Sequence, residues 1–328
     1  MVIQMIHNPL YNIYIASCAT DGGIYQYHMY EDGSLKMRNF TQMDRPVYMA
    51  YENNKMHILL RSPFSENTES GLVVYDIDFD GNLKTPSSII STKGEVACHL
   101  SVNCNDVYCA NYISGSVIKM PETLVKHAGK GINAIRQESP HAHYVGFTPD
   151  KEYVCVVDLG LDTVFLYSKK LEVVNKVQVP RGHGARHLVF SEDGKYCFVA
   201  NELKSTVSLL EYKSGELKYI DTVRCLPEEY TGETTASAIR FNENNIYVSN
   251  RGLDTISVLN NQNKKLVYKG TYSCDGKSPR DFDIIGKYIV CTNEKSDSIT
   301  VLDKHNFNTI YIEKNVKSPI CVVSKNIL

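Results

Sequence analysis

The residues best equipped for chemistry stand at the ends of apolar segments. Arg186 opens the run "RHLVF", and Glu202 follows the run "YCFVAN" sixteen residues later. His143 opens "HYVGF", Ser237 and Arg251 bracket a further pair of runs, and Arg280 and Glu294 bracket another. A packed sheet interior excludes unpaired charge, so these ends must face water or one another. Imidazole titrates near neutrality and serves as acid or base. Guanidinium grips phosphate and carboxylate in a planar fork. Together these types suit acid–base work beside an anion.

Segments of this kind recur, and the recurrence shows what must hold the charged ends. "RPVYMAY", "VACHLSV", "HAHYVGF", "GARHLVF", "TASAIRF", "SPRDFDI" and "SPICVVS" share one pattern. Aligned on Arg186, the matching positions are Val47, Cys98, His143, Arg186, Ser237, Arg280 and Ile320, spaced 40 to 51 residues apart. That period belongs to four-stranded propeller blades. Turns such as "EDGK" lead to a second β-branched and aromatic run, a polar turn leads to a third, and "FDGNL" or "KSGEL" leads to a weaker fourth. Helical periodicity is nowhere sustained. The fold class is therefore all-β: a seven-bladed β-propeller of four-stranded antiparallel blades, with residues 1–328 as one domain. The sequence opens on a second run, "NIYIAS", and closes on a first run, "SPICVVS". The C-terminal strand is thus expected to complete the N-terminal blade, closing the ring and leaving fewer sheet edges.

In a propeller the first strand of each blade lines the central channel and the second returns antiparallel to it. The start of the first and the end of the second share one end of the molecule. Arg186 with Glu202, His143 with Leu159, Ser237 with Arg251, and Arg280 with Glu294 should converge there, rimming a water-filled pocket. Val47 and Ile320 at the same level are apolar, so one arc of the mouth carries the polar equipment. Concave clusters of titratable groups are candidate sites. His141 has the parity of His143 and should also face the channel. His187 and His99 have the opposite parity and should pack between blades. His183 lies between two glycines, in an approach loop with reach to a ligand.

Composition excludes several other functions. The 35 basic and 37 acidic residues leave a net charge of −2, without the concentrated basic face of a nucleic-acid binder. No apolar run approaches a membrane span. The start, "MVIQMIHNPLYNIYIAS", lacks the basic and apolar regions of a signal peptide. Among ten cysteines no C-x-x-C pair occurs. Cys98, Cys109, Cys155, Cys197 and Cys291 fall inside apolar runs, as reduced thiols of a cytoplasmic protein do.

"PHAHYVGFTPDKEYVCVVDLGLDTVFLY", "GARHLVFSEDGKYCFVANELKSTVSLLEY", "SNRGLDTISVL", "SPRDF" and "CHLSV…ANYISGSV" resemble the seven-bladed propeller lactonase family, whose best known members are 6-phosphogluconolactonases. The resemblance runs through all seven repeats and is weakest in the second, where "YENNKMHILLRSPFSENTESG" replaces the usual turn signals. The family includes a muconate cyclase with a catalytic histidine, two arginines and a glutamate. Carried over by strand position, the resemblance implies His143, Arg186, Arg251 and Glu202 as the catalytic group. Ala185 stands where the family commonly has proline, and Glu294 where an amide is common.

A lactone is an ester, so its hydrolysis needs an activated water and a stabilised oxyanion. No covalent nucleophile is required, and no G-x-S-x-G elbow is present. His143 or Glu202 is the expected base, and Arg186 and Arg251 the expected oxyanion partners. Arg280, His141, His183, Ser237 and Glu294 are the expected substrate-binding residues. The expected substrate is a small phosphorylated sugar lactone, 6-phosphoglucono-1,5-lactone, on the pentose phosphate pathway. The alternatives are another lactonase, a muconate-type lactonizing cycloisomerase, or a non-catalytic propeller that binds a partner. The "HAH" pair and the recurring Asn111, Asp158, Asn201, Asn250 and Asn293 raise the question of calcium, which takes several oxygen ligands. Local turn formation accounts for that recurrence better, so no cofactor is expected. Neither nucleic acid nor membrane is an expected partner, and the protein is expected as a monomer or a homodimer.

Overall fold

Seven antiparallel sheets follow one another along the chain. The computed structural model describes residues 8–327, so part of the amino-terminal stretch read for a leader lies outside the described residues. Blade 1 joins Pro319–Asn326 to Tyr11–Ser17, Gly23–Met29 and Leu35–Gln42. Its innermost strand comes from the far end of the chain, with Ile15 opposite Val322 and Tyr14 opposite Val323. The ring is closed as its repeat pattern requires. Blades 3 to 7 are four-stranded. Blade 2, where the turn signals are weakest, carries an extra strand, Ile90–Glu95, on Glu69–Ile77.

The core lies between blades rather than at the centre. Its apolar side chains form seven clusters among the described residues, six shared by two consecutive blades and the seventh, between blades 2 and 3, also taking in Ile320 of blade 1. Cys155, Val157 and Leu166 of blade 4 meet Leu188, Cys197 and Val199 of blade 5. Val290 and Val301 of blade 7 meet Ile13, Ile15 and Val322 of blade 1 across the closure. The second strands, sandwiched inside the sheets, bury both faces, which explains their near-continuous Val, Ile and Cys runs, whereas outer strands such as Val173–Gln178 stay largely exposed.

One irregularity is repeated around the ring and positions the site. In every blade the ladder between first and second strand shifts by at least one residue near its start. The residue skipped is Val47, Cys98, His143, Arg186, Arg280 or Ile320; in blade 6 both Ser237 and Ala238 are skipped. These are the positions aligned above. A β-bulge places two residues opposite one and breaks strict alternation, so a blade can turn two successive side chains toward the channel. His187 and His99 therefore do not pack between blades. With Tyr48 and Tyr144 they fill the axis: His99 lies 4.2 Å from Tyr48, 4.3 Å from Tyr144 and 5.1 Å from His187, centroid to centroid.

Candidate active site

The end of the second strand supplies a ring of residues above the bulges. Each follows the strand residue paired just before the bulge: Arg61 after Leu60, Tyr112 after Asn111, Leu159 after Asp158, Glu202 after Asn201, Arg251 after Asn250 and Glu294 after Asn293. Arg61 and Tyr112 escaped the sequence reading, although extending the repeat register into blades 2 and 3 finds both.

Glu202 is the centre of the arrangement. Its Oε2 accepts from Arg186 Nε at 2.9 Å and faces Arg251 Nη2 at 3.0 Å. Its Oε1 accepts from Arg136 Nη2 at 2.7 Å. Burial raises the proton affinity of this carboxyl, but the charges of Arg251, Arg186 and Arg136 outweigh it and hold Glu202 well below the usual carboxylate range. Arg186 and Glu202 are each only 3 % exposed. The pair thus lies beneath the mouth rather than on its rim, because the loop that carries Arg136, between blades 3 and 4, reaches over it. Arg136 lies in a loop outside the repeated strands, so repeat-based reasoning does not find it.

Donors remain free around this carboxylate. Arg186 Nη1 and Arg251 Nε are buried without a hydrogen-bond partner among the described residues. Burial, with the charges of Arg280 and Arg251, lowers Arg186 from its ordinary value to about 9, still protonated at neutral pH. Beneath it a cavity of ≈ 20 Å³ is lined by Arg61, Cys98, His143, Arg186, His187 and Arg280, among others. A groove of ≈ 440 Å³ opens beside it between blades 6 and 7, sharing Arg280 and bordered by Arg251 and Glu294.

His143 lies in the cavity wall, its ring 5.3 Å from those of His187 and Tyr112. Burial, reinforced by Arg186, holds its proton affinity well below that of a free histidine. It is a neutral imidazole at pH 7, with a lone pair to offer. Cys98 Sγ stands 3.8 Å from His143 Nδ1. Cys98 thus belongs to the site rather than to the packed runs, and burial pushes its thiol up to about 12.

The remaining candidates are placed less directly. His141 stacks on Tyr112 at 4.4 Å, its Nδ1 3.1 Å from the Tyr112 carbonyl and its Nε2 3.2 Å from Glu138 Oε1. Both ring nitrogens are thus engaged by protein. Ser237 Oγ donates to the Arg280 carbonyl at 2.7 Å, tying blade 6 to the bulge of blade 7. His183 Nδ1 lies 2.9 Å from Thr206 Oγ1 in its own blade. Arg280 and Glu294 face each other loosely, at 3.8 Å. Asn201, Asn250 and Asn293 bond across their hairpins to Ser208, Ser257 and Thr300. Asn111 bonds to Thr92 and Ser116, while Asp158 accepts from the backbone of His141 and Leu161. These five side chains serve strand and turn contacts within and between blades.

A family model described as "Lactonase, 7-bladed beta-propeller" matches residues 12–323. The chain belongs to this lactonase family. Among curated relatives of the family, a 6-phosphogluconolactonase of Bacillus subtilis (strain 168) is 32 % identical over 309 residues, spanning 86 % of this chain and 88 % of its own. An uncharacterised protein of Staphylococcus aureus (strain USA300) is 29 % identical over 314 residues, spanning 88 % of this chain and 90 % of its own. Among solved structures, a Lactobacillus plantarum protein superposes with a TM-score of 0.86 at 27 % identity, covering 96 % of this chain and 99 % of that one. The periplasmic gluconolactonase of Pseudomonas aeruginosa has the same fold, with a TM-score of 0.83 at 24 % identity, over 96 % of this chain and 99 % of that one.

Proposed function

We propose that the protein hydrolyses 6-phosphoglucono-1,5-lactone to 6-phosphogluconate. The observation that carries this reading is the pairing of a neutral histidine, His143, with buried guanidinium donors of Arg186 and Arg251 left unpartnered around one carboxylate. An ester carbonyl gathers negative charge on its oxygen as water adds, and preorganised donors in a dry site stabilise that charge. Arg186 and Arg251 serve there, their forks held by Glu202. His143 takes the proton as the water oxygen bonds to the carbonyl carbon. The ring C–O bond then breaks and its oxygen receives that proton, giving the open hydroxy acid. Glu202, surrounded by three cations, is a weak base and serves as the anchor. Arg280, at the edge of the groove, suits the substrate phosphate.

All ten cysteines are free thiols, which supports a reducing, cytoplasmic setting. The matched relative named a 6-phosphogluconolactonase supports the choice of substrate. The test is hydrolysis of the phosphorylated lactone and of its unphosphorylated counterpart, each against the spontaneous rate. Arg186→Ala should fold and lose about 100-fold to 1,000-fold in kcat/KM, the cost of one oxyanion donor. Turnover near wild type would remove Arg186 from the mechanism.

A further inference from the structure

The contact that closes the site comes from outside the repeats. The loop between Thr123–Lys126 and Ala142–Phe147 is pinned by Gln137, whose buried side chain donates to the Leu159 carbonyl at 2.8 Å. Asn133 Oδ1 accepts from the backbone of Ile135 and Arg136, each at 3.1 Å, which sets the turn that aims Arg136. The guanidinium reaches Glu202 Oε1 at 2.7 Å and Tyr112 Oη at 3.4 Å. Its side chain is 39 % exposed, against 3 % for Arg186.

We propose that Arg136 is a positioning residue for the lactone-hydrolysing centre: it fixes the Glu202 carboxylate so that Arg186 and Arg251 converge on one oxygen. This rests on the function proposed above. The terminal torsion of a glutamate is soft and roughly two-fold, so a carboxylate gripped at Oε2 alone is free to turn. Arg186 and Arg251 both bind Oε2, and among the described residues only Arg136 grips Oε1. Without it the two guanidiniums lose their shared reference, and misplacement on the ångström scale is costly to catalysis.

Arg136 reaches the site through solvent, so a small cation can take its place. Arg136→Ala should lower kcat/KM by between about tenfold and about 100-fold, mostly in kcat, with an unchanged melting transition. Added guanidinium chloride, well below denaturing concentration, should restore part of that loss. The same addition should not rescue Arg186→Ala, whose site is closed. Arg136→Lys, which keeps charge but not the fork, should fall between wild type and alanine. Binding of 6-phosphogluconate, measured by calorimetry, should weaken in Arg136→Ala and recover with guanidinium. Wild-type kinetics and binding in Arg136→Ala would overturn the proposal, as would a loss that guanidinium leaves untouched. Rescue seen in binding, with no lactone hydrolysis by the wild type, would uphold Arg136 and overturn the lactonase reading.

Discussion

At the scale of single residues, the site depends on groups kept in one protonation state by burial. His99, His143 and His187 are all held well below the ordinary histidine value, chiefly by burial and then by nearby arginines. Unfolding returns each to about 6.5. As pH falls through that value the unfolded chain takes up protons that the native state refuses, so stability is lost on the acid side and is fully present above it. Each histidine contributes up to about 1.4 kcal/mol per pH unit, or about 4 for the three together. Urea unfolding should show a loss of up to about 4 kcal/mol in all between pH 7.5 and 5.5, steepening toward that limiting slope at lower pH; a flat profile would mean that the three rings are protonated or solvated in the native protein. Glu202 acts in a different window. Its carboxyl is depressed in the native state, so its contribution is present above its unfolded value of about 4.3 and is lost as pH falls below that.

At the scale of the element, a turn in one blade holds the start of the next. Asp162, in the left-handed region between second and third strand of blade 4, accepts from Gly182 N at 2.7 Å and Gly184 N at 2.6 Å, just before Arg186. Asp254 and Asp297 do the same for Ser278 and Ser318 in later blades. Gly184 has φ +69°, and a Cβ there would meet Leu203, so the loop has little room to compensate. Asp162→Ala should cost about 1.5–3 kcal/mol, the range for hydrogen bonds to a charged group, and should lower kcat/KM by misplacing Arg186. Chemical denaturation and steady-state kinetics on the variant check both; unchanged kinetics would separate the loop from the site. The strands, their order and the closure were legible because seven copies of one pattern reinforce each other. The inward turn of His187 and His99 was not, since strict alternation assigns the residue after Arg186 or Cys98 to the opposite face, and a bulge leaves no mark in residue type. Arg61 was legible in principle but sat in the blade with the poorest turns. Arg136 was not, because a loop outside the repeat has no register to extend.

At the scale of the molecule, the ring holds only as long as blade 1 keeps its borrowed strand. Removing residues 316–328 takes away Val316 and Val322 from the blade 7–1 cluster and Cys321 from the blade 1–2 cluster, and it strips Tyr11–Ser17 of its inner partner. Two interfaces are lost at once, so the truncated protein should lose its single melting transition or show it far lower. A transition unchanged in calorimetry would mean that the blades are stable as an open arc. The repeated bulge has a consequence beyond this protein's own chemistry. Some blades offer adjacent positions beside the channel, such as Arg186 and His187 or Arg280 and Asp281, whose side chains lie outside the seven apolar clusters. Exchanging these pairs is a way to write a new specificity without rebuilding the scaffold, whereas Val47 and Ile320 also belong to an apolar cluster and are tied to the core.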